Sequence, residues 1–306
     1  MKTLLKYIII VFIGFIFVDL ITRFAYHFAY THVPKNAEII QRYKYIHNQK
    51  QADILITGAS RGMFSYNAPL IEKITGMSIY NTGEDGAGVI NQYLCLLNAL
   101  KNGPIKYMIY DIGDLQLTNK WNQGRISRYY PYYWLDSNVK KVVDDCVGLP
   151  KAEILLSSSL FQFNSHLHDL ARIYFVKNKN NETGYEGLPY TGKPCAYYKW
   201  DRNKPVQPFI PDSLPLAYLN KIVNICKNNN ITLILTMAPA LSNEKSSAIF
   251  LNKYSKEKNI PFWDFTDCPE INKDPRLYKD DHHLNEKGTP IFAKILCDSL
   301  KKHYNI

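Results

Sequence analysis

The sequence has few of the features that mark metal, redox or nucleic-acid-binding proteins. Its six cysteines include no C-x-x-C pair, so zinc sites and thioredoxin-like sites find no support. Lys and Arg exceed Asp and Glu by 37 − 27 = 10, yet they form no compact cluster, and no RNA-binding signature accompanies the 23 tyrosines. We therefore expect no metal centre and no nucleic-acid partner. The basic excess still suits other anionic partners, such as phospholipid head groups or anionic glycans.

The chain also lacks the apolar content of a polytopic membrane protein. Apolar residues make up 46% and charged residues 21%, a balance that supports a folded core and excludes a disordered chain. One segment stands apart. Residues 4–21 read LLKYIIIVFIGFIFVDLI, about the length of a helix that crosses a hydrocarbon core, and the two charges Lys6 and Asp19 lie near its ends.

This segment has two interpretations. The uninterrupted apolar run at 8–18 has the length found in a cleavable secretory signal, but no small-x-small cleavage site follows, which favours a retained anchor helix. Positive residues are nearly balanced around it, with Lys2 and Lys6 before and Arg23 and Lys35 after. Because long domains translocate largely regardless of charge, we expect a single-pass protein of the cytoplasmic membrane whose bulk is extracytoplasmic. Residues 1–34 form the expected anchor and linker, and 35–306 the folded domain.

The cysteines do not decide the compartment. In an exported chain six cysteines permit fifteen disulfide pairings, and the sequence cannot choose among them. Buried thiols are the alternative, and we favour it.

From residue 52 onwards, short apolar runs alternate with helix-period segments. Strands are predicted at 52–57, 77–80, 106–112, 231–237 and 261–265. Helices are predicted at 68–75, 89–101, 214–228 and 246–259, with a last helix from Thr289 or from Asn285. Continuous apolar runs are typical of strands buried on both faces. The alternation predicts an α/β domain with a parallel, doubly wound sheet between two layers of helices, which is a three-layer αβα sandwich.

The stretch at about 115–213 interrupts this alternation. It contains the aromatic run RYYPYYWL at 128–135, a predicted helical pair at 137–147 and 151–176, and a run rich in Asn, Lys, Gly and Pro at 177–211. Such a run is too long for an ordinary connection, and long segments of this kind are usually lids, binding loops or disorder. We interpret the whole stretch as an insertion that shapes a binding surface.

A first motif follows the first predicted strand. Residues 58–62 read GASRG, which matches the G-x-S-x-G nucleophile elbow. A serine at such a strand-to-helix turn has its hydroxyl exposed above the sheet edge, and Asn67 and Pro69 open the next helix. A structural Gly-Ser turn explains the same residues about equally well.

A second motif precedes the last helix. Residues 280–288 read DDHHLNEKG. Within them, Asp280 and His283 are the one pair in which an acid lies three positions before a histidine. An acid at that distance can hold one imidazole nitrogen while the other accepts a proton from a serine. A polar loop, or an adventitious metal site of two acids and two histidines, is the alternative.

The two motifs support each other. In a parallel sheet, the turn after the first strand and the loop before the last helix meet at the carboxyl ends of the strands. The arrangement differs from the α/β-hydrolase fold, in which several strands precede the elbow and the acid and histidine come from separate loops. Here only the anchor and about thirty residues precede Ser60.

With these motifs the chain resembles the SGNH (GDSL-like) hydrolase superfamily over residues 52–301. The resemblance rests on Ser60, on Asn81-x-Gly83, and on the block at 280–285 that reads DDHHLN. The membrane anchor, the G-x-S-R block and the Y-N-T-G-x-D-G block are similar to those of envelope-anchored SGNH proteins of bacteria, which handle acyl groups on surface polymers.

The resemblance implies a three-layer αβα, flavodoxin-like fold and a role for each motif residue. Ser60 is the implied nucleophile, His283 the general base and Asp280 the acid that orients it. The amides of Ser60 and Gly83, with an asparagine of the third block, are the implied oxyanion hole. No cofactor is needed.

Two departures from the family pattern affect this expectation. Ala59 stands where the family has an aspartate, and the third block G-x-N-D is replaced by DIGD at 111–114, which has no asparagine. Loss of one oxyanion donor typically costs about 2.7 to 4 kcal/mol of transition-state stabilisation. The site is then slower than a free esterase, recruits another donor such as Asn119 or Asn122, or is inactive.

We expect a serine esterase or O-acyltransferase that acts on acyl esters of a cell-envelope carbohydrate or surface polymer, with a multi-span membrane acyltransferase as a possible partner. Additional substrate-binding candidates are Arg61, Asp85, Tyr132 and Trp134. The aromatic run suits stacking on sugar rings, with core packing of the insertion as an equal alternative. The competing hypothesis is a non-catalytic SGNH scaffold that binds a glycan or holds an acyltransferase partner.

Overall fold

A computed structural model describes residues 2–32, 51–164, 166, 183–195, 206 and 209–306. The chain divides into two compact units. One takes its residues from Met1–Ile40 and Ile126–Lys179, and the other from Gln41–Arg125 and Asn180–Ile306. Much of the polar run predicted at 177–211 and most of the second half of the helix predicted at 151–176 lie outside the described residues.

The larger unit is built on one parallel sheet. In the described residues the strands are β1 (Ile54–Gly58), β2 (Ile79–Asn81), β3 (Tyr107–Asp111), β4 (Thr232–Met237) and β5 (Phe262–Asp264). Their spatial order is β2-β1-β3-β4-β5, all neighbours being parallel. This is the flavodoxin-like order of a doubly wound sheet, in which sites lie outside the carboxyl ends of the strands.

Helices of the larger unit cover both faces of the sheet. They are α2 (Ser60–Ser65), α3 (Ala68–Thr75), α4 (Val89–Lys101), α5 (Asn119–Gly124), α9 (Ser213–Asn228), α10 (Lys245–Lys258), α11 (Pro269–Asn272) and α12 (Thr289–Tyr304). On one face, Ile54 and Ile56 of β1 share a buried cluster with Ile71 of α3 and Phe292 of α12. On the other face Thr57 donates a hydrogen bond to Gln92 of α4, and α4 packs against α9. The prediction of a parallel α/β sheet between helix layers is confirmed.

Local signals explain why α3 has the limits predicted from sequence. The side chain of Asn67 accepts a hydrogen bond from the Leu70 amide at 3.2 Å, which caps the first turn. Gly76 ends the helix in the left-handed conformation, at φ 70°, which glycine adopts without steric cost. The boundaries therefore follow from residues adjacent in the chain.

The smaller unit contains the N-terminal helix and the described part of the insertion. Its elements are α1 (Lys2–Thr31), a 3-10 helix (Ile126–Tyr132), α6 (Ser137–Val147), α7 (Lys151–Ser157) and α8 (Ser159–Gln162). The single helix predicted from residue 151 is therefore wrong in its described part. Ser158 has extended dihedral angles, and its hydroxyl accepts from the Phe161 amide at 3.4 Å, so it ends one helix and caps the next.

Helix α1 carries a stretch, Lys2–Ala29, that is long and apolar enough to cross a membrane. None of its most apolar window is buried within the protein. The single-span segment predicted from sequence is therefore present as a continuous helix.

The six cysteines all lie among the described residues, and no disulfide joins any of them. Four are buried, and Cys146 and Cys195 are half-buried. Burial raises the pKa of the buried Cys226 thiol to about 12, so it stays protonated at neutral pH.

Candidate active site

Ser60 follows a tight turn whose backbone path requires glycine at position 58. Strand β1 ends at Gly58, and Ser60 is the first residue of α2. Gly58 has φ +150°, and a Cβ atom there would lie 2.7 Å from the backbone oxygen of Asp111 on the neighbouring strand. The tight turn brings the Ser60 hydroxyl to the carboxyl end of the sheet.

His283 lies on a short loop closed by its own backbone and by a buried asparagine. An isolated antiparallel bridge pairs Tyr278 with Leu284. The side chain of Asn285, which is fully buried, donates to the carbonyls of Arg276 and Tyr278 at 2.8 and 3.0 Å. Asn285 therefore fixes the chain on both sides of the loop and limits the movement of His283.

The structure brings Ser60, His283 and Asp280 into one hydrogen-bonded series. Ser60 Oγ lies 2.8 Å from His283 Nε2, across 223 residues of sequence. On the other side of the ring, His283 Nδ1 lies 2.8 and 2.9 Å from the two carboxylate oxygens of Asp280. A carboxylate at Nδ1 favours the tautomer that carries its proton there, which leaves Nε2 as the acceptor for the serine hydroxyl.

Asp280 is held in its ionised form. Partial burial opposes ionisation of Asp280, but hydrogen bonds from the His283 ring and from the backbone amides of His282 and His283 outweigh it and lower the pKa of this carboxyl. Both amides donate to the same oxygen, at 2.9 Å. The acid thus orients the imidazole and is itself fixed by the loop backbone.

A cavity of about 320 Å³ opens over this series. Ser60 and His283 lie in its wall with Arg61 and Asp85, two of the predicted substrate-binding residues. Apolar lining comes from Leu115 and the ring of Trp121. Its volume is at the lower end of the range for small-molecule sites.

The Arg61 side chain is buried between two carboxylates. Its Nε lies 3.1 Å from Asp111 Oδ1, and its Nη1 lies 3.3 Å from Glu244 Oε2. Burial favours loss of the Arg61 charge, but both carboxylates outweigh burial and raise the pKa of the guanidinium. Its charge is therefore balanced inside the protein, and the substrate-binding role of Arg61 stays a prediction.

Asp111, at the end of β3, has a structural environment that the sequence did not indicate. It is fully buried and accepts from Tyr66 Oη at 2.9 Å and from the Ala238 amide at 2.7 Å, in addition to Arg61. This residue opens the DIGD block at 111–114. Asp111 connects the segments that follow β1, β3 and β4.

Glu244 and His282 form a second carboxylate–imidazole pair beside the first. His282 Nδ1 lies 3.4 Å from Glu244 Oε1 and 3.0 Å from the Ser242 hydroxyl. Burial disfavours the Glu244 charge, yet Arg61 and His282 lower the pKa of this carboxyl to about 2. The bond to Glu244 in turn raises the pKa of His282. Sequence reasoning missed Glu244, for which the one available signal was its position shortly after β4.

The predicted oxyanion donor Gly83 has its amide directed elsewhere. The Gly83 N–H donates to the side-chain oxygen of Asn81 at 2.8 Å. Its backbone packs so closely on α2 that a Cβ would lie 2.5 Å from the Met63 nitrogen. The oxyanion role of Gly83 stays a prediction, as does that of the Ser60 amide, which lies in the first turn of α2, where amides have no partner within the helix.

The asparagines considered as substitute donors are not directed at Ser60. Both Asn122 side-chain hydrogens are engaged, by the carbonyls of Gln116 and Thr118 at 2.8 Å each. Its side-chain oxygen accepts from the Ile90 amide at 3.0 Å. Asn119 does not line the described cavity.

The aromatic run belongs to the smaller unit, where its rings have different environments. Tyr129, Tyr132 and Tyr133 are buried, as expected of core packing in the insertion. Trp134 is exposed on about half of its surface, and its indole nitrogen donates to the Leu156 carbonyl at 2.8 Å. Sugar stacking by Tyr132 and Trp134 stays a prediction.

Among the described residues, no group of three or more His, Cys, Asp or Glu side chains converges as a metal site would require. Within 280–283, Asp280 and His283 instead bind each other, and His282 binds the Ser242 hydroxyl.

No protein-family model matches the chain, and no curated protein matches it in sequence. Among solved structures, it is similar to a candidate acylhydrolase from Bacteroides fragilis, with 13% identity and a TM-score of 0.41, over 87% of this chain and 95% of that one. A likeness this distant assigns no activity to this chain. Any function proposed for it therefore rests on the geometry of the site.

Proposed function

We propose that the chain is a serine esterase or O-acyltransferase of SGNH type, acting on acyl esters of a cell-envelope carbohydrate or surface polymer. The observation that carries the proposal is the series Ser60, His283 and Asp280, joined at 2.8 Å on each side of the imidazole. An accessible serine, a base and an orienting acid in that order are what nucleophilic acyl transfer requires.

In the first half-reaction, Ser60 Oγ attacks the carbonyl carbon of the ester while His283 Nε2 accepts the serine proton. Asp280 stabilises the resulting imidazolium. Collapse of the tetrahedral intermediate breaks the bond to the alcohol oxygen, which takes the proton from His283 as it leaves. The product is an acyl-serine with neutral imidazole restored.

The second half-reaction decides between hydrolysis and transfer. His283 removes a proton from water or from a sugar hydroxyl, whose oxygen attacks the acyl-serine. Ser60 then leaves with the proton that His283 returns. Water gives a carboxylic acid, and a sugar hydroxyl gives a new ester.

Backbone amides stabilise the oxyanion of the tetrahedral intermediate. The Ser60 amide supplies one donor. The Gly83 amide supplies a second once the developing oxyanion displaces the Asn81 side-chain oxygen to which that amide donates. With two donors and no asparagine, we expect turnover below that of a three-donor esterase by a factor of about 10² to 10³.

The cavity and the N-terminal helix support the substrate class. A volume of about 320 Å³ suits a short acyl group with part of a sugar better than a long fatty chain. Asp85, exposed at the cavity wall, is placed to accept from sugar hydroxyls. A membrane-crossing helix would keep the enzyme at the surface where envelope polymers are assembled, and we propose the extracytoplasmic side.

A fluorophosphonate probe on the detergent-solubilised full chain tests the proposal. Wild type should be labelled, and Ser60→Ala should lose the label. Ser299→Ala is the matched control, because that hydroxyl only donates to the Ile295 carbonyl within α12. Equal labelling of Ser60→Ala and wild type would overturn the assignment of the nucleophile.

One observation favours a second candidate, the non-catalytic scaffold that binds glycan or an acyltransferase partner. The Gly83 amide is engaged by Asn81, and no asparagine is directed at the site among the residues considered as donors. This candidate predicts no labelling of wild type under conditions that label a known serine hydrolase, together with measurable glycan binding.

A further inference from the structure

Helix α1 has two parts that differ in their surroundings. Every residue from 2 to 18 is exposed, whereas Asp19, Thr22, Tyr26 and Ala29 are partly buried. Their spacing of three, four and three residues places them on one face of the helix. The first part is about 25 Å long at 1.5 Å per residue, close to the thickness of a hydrocarbon core. Helix α1 is therefore exposed over a length that matches the hydrocarbon core, and its packing against other parts of the protein begins at Asp19.

The insertion supplies the packing partner, through polar bonds to the charged residues of α1. The Ser158 hydroxyl and the Leu160 amide donate to Asp19 Oδ1 at 2.8 and 3.0 Å. Arg23 Nε donates to the Ser159 hydroxyl at 2.9 Å. Because a charged side chain is costly in hydrocarbon, these contacts place the start of α8 at the edge of the membrane, where the lipid-exposed part of α1 ends.

Next to these contacts, the insertion exposes several large apolar side chains. They are Trp134, Leu135, Leu149, Ile154 and Phe161, between 40 and 67% exposed. Contacts within the smaller unit join the elements that carry these side chains. Phe161 of α8 stacks on Tyr130, Trp134 is bonded to the Leu156 carbonyl of α7, and α7 packs against α8. A tryptophan with its N–H satisfied and its ring exposed is typical of the membrane interface.

The geometry points to a second membrane contact: the surface formed by Trp134, Leu135, Leu149, Ile154 and Phe161 rests in the interfacial layer of the same bilayer that α1 crosses. A lipid surface is the occupant that fits, since α8, which carries Phe161, bonds to α1 where α1 leaves the hydrocarbon. Lys151, exposed one turn before Ile154 on α7, is placed to meet lipid phosphates. The insertion thus adds a lateral support to a single-helix anchor.

Photo-crosslinking of the full chain tests this surface. The protein is reconstituted in vesicles of phosphatidylcholine and phosphatidylglycerol that contain a diazirine-bearing phospholipid, and adducts are mapped by mass spectrometry after photolysis. We expect adducts in residues 2–18 and in peptides that contain Trp134, Ile154 or Phe161. Adducts confined to residues 2–18 would overturn the proposal.

A matched pair of variants sharpens the test. Ile154→Asp should lower the adduct yield in its peptide severalfold, while Ile249→Asp, at a comparably exposed isoleucine of α10, should leave that yield unchanged. Unchanged yield in Ile154→Asp, or equal adducts around Ile249 in wild type, contradicts the assignment. Ser60→Ala should give the wild-type pattern, so this result is independent of whether the chain is an esterase.

Discussion

Two carboxylate–imidazole pairs lie side by side in the larger unit, and they differ in the partners of the imidazole nitrogens. His283 has Asp280 on one nitrogen and the Ser60 hydroxyl on the other. His282 has Glu244 and Ser242 at Nδ1, and its Nε2 lies 3.7 Å from Asp281. The first pair connects to Ser60, the proposed nucleophile, and the second connects to the buried Arg61 through Glu244.

The difference shows that an acid beside a histidine is not enough to define a catalytic base. The Asp280 side chain is 49% exposed and the Glu244 side chain 10%. Glu244 also pairs with a buried guanidinium, and both Glu244 and His282 lie in the wall of the cavity. The imidazole of the Asp280 pair binds Ser60 through the nitrogen opposite its acid, whereas His282 binds Ser242, whose hydroxyl also donates to Glu244.

The largest expected effect separates the two histidines. His283→Ala should lower the rate of fluorophosphonate labelling by about 10⁴-fold or more, because the serine loses its base. His282→Ala should lower it by less than about tenfold, since that ring does not reach Ser60. Labelling rates of the purified variants decide the comparison, and equal losses would show that the base is misassigned.

A smaller effect is expected when the acid of the first pair is changed without loss of volume. Asp280→Asn should lower the labelling rate by about 10³- to 10⁴-fold, because an amide neither stabilises the imidazolium nor enforces the tautomer. Glu244→Gln serves as the control and should retain most of the rate. A wild-type rate in Asp280→Asn would show that its carboxylate has no part in activating Ser60.

The second pair should instead affect stability. Glu244→Gln removes one of the two carboxylates of buried Arg61, which keeps Asp111, and we expect a loss of about 2 kcal/mol in the free energy of unfolding. Because the pKa of Glu244 is lowered to about 2 from 4.5, its contribution is present above pH 4.5 and is lost as pH falls towards 2. Denaturant titrations from pH 7 to 3 should show that the unfolding free energy falls less steeply with acid pH in the variant than in wild type. The same fall in both proteins would contradict an ionised Glu244 paired with Arg61.

The smallest effect concerns His282. Its pKa is raised in the folded state by the bond to Glu244, so its contribution is present below the ordinary value of 6.5 and is lost as pH rises through the raised pKa. His282→Ala should therefore weaken the dependence of unfolding free energy on pH just above 6.5. A slope identical to wild type would indicate that the folded-state ring is not preferentially protonated.

Elements with local signals were predictable from the sequence. Helices Ala68–Thr75, Val89–Lys101 and Ser137–Val147 begin and end where the pattern places them. The predicted helix from residue 151 was wrong at Ser158, because a serine whose side chain bonds to the backbone competes with helix continuation. The hydrophobic periodicity carries no signal of such a bond.

The site residues that lie in short sequence motifs were predictable. Ser60, Asp280 and His283 stand out by spacing alone, and the fold places them within hydrogen-bonding distance. Asp111 and Glu244 did not stand out as partners of Arg61, because a buried ion pair is created by strands that meet in space and leaves no periodic trace in the chain. The engagement of the Gly83 amide by Asn81 likewise depends on a turn conformation that the residue types alone do not specify.

Peptide mapping of the fluorophosphonate adduct is the most direct test of the central claim. The full chain is labelled, digested and sequenced by mass spectrometry. We expect one phosphonylated site, at Ser60, whose formation is lost in His283→Ala. An adduct on a different serine, or an adduct at Ser60 that forms equally fast without His283, would contradict it.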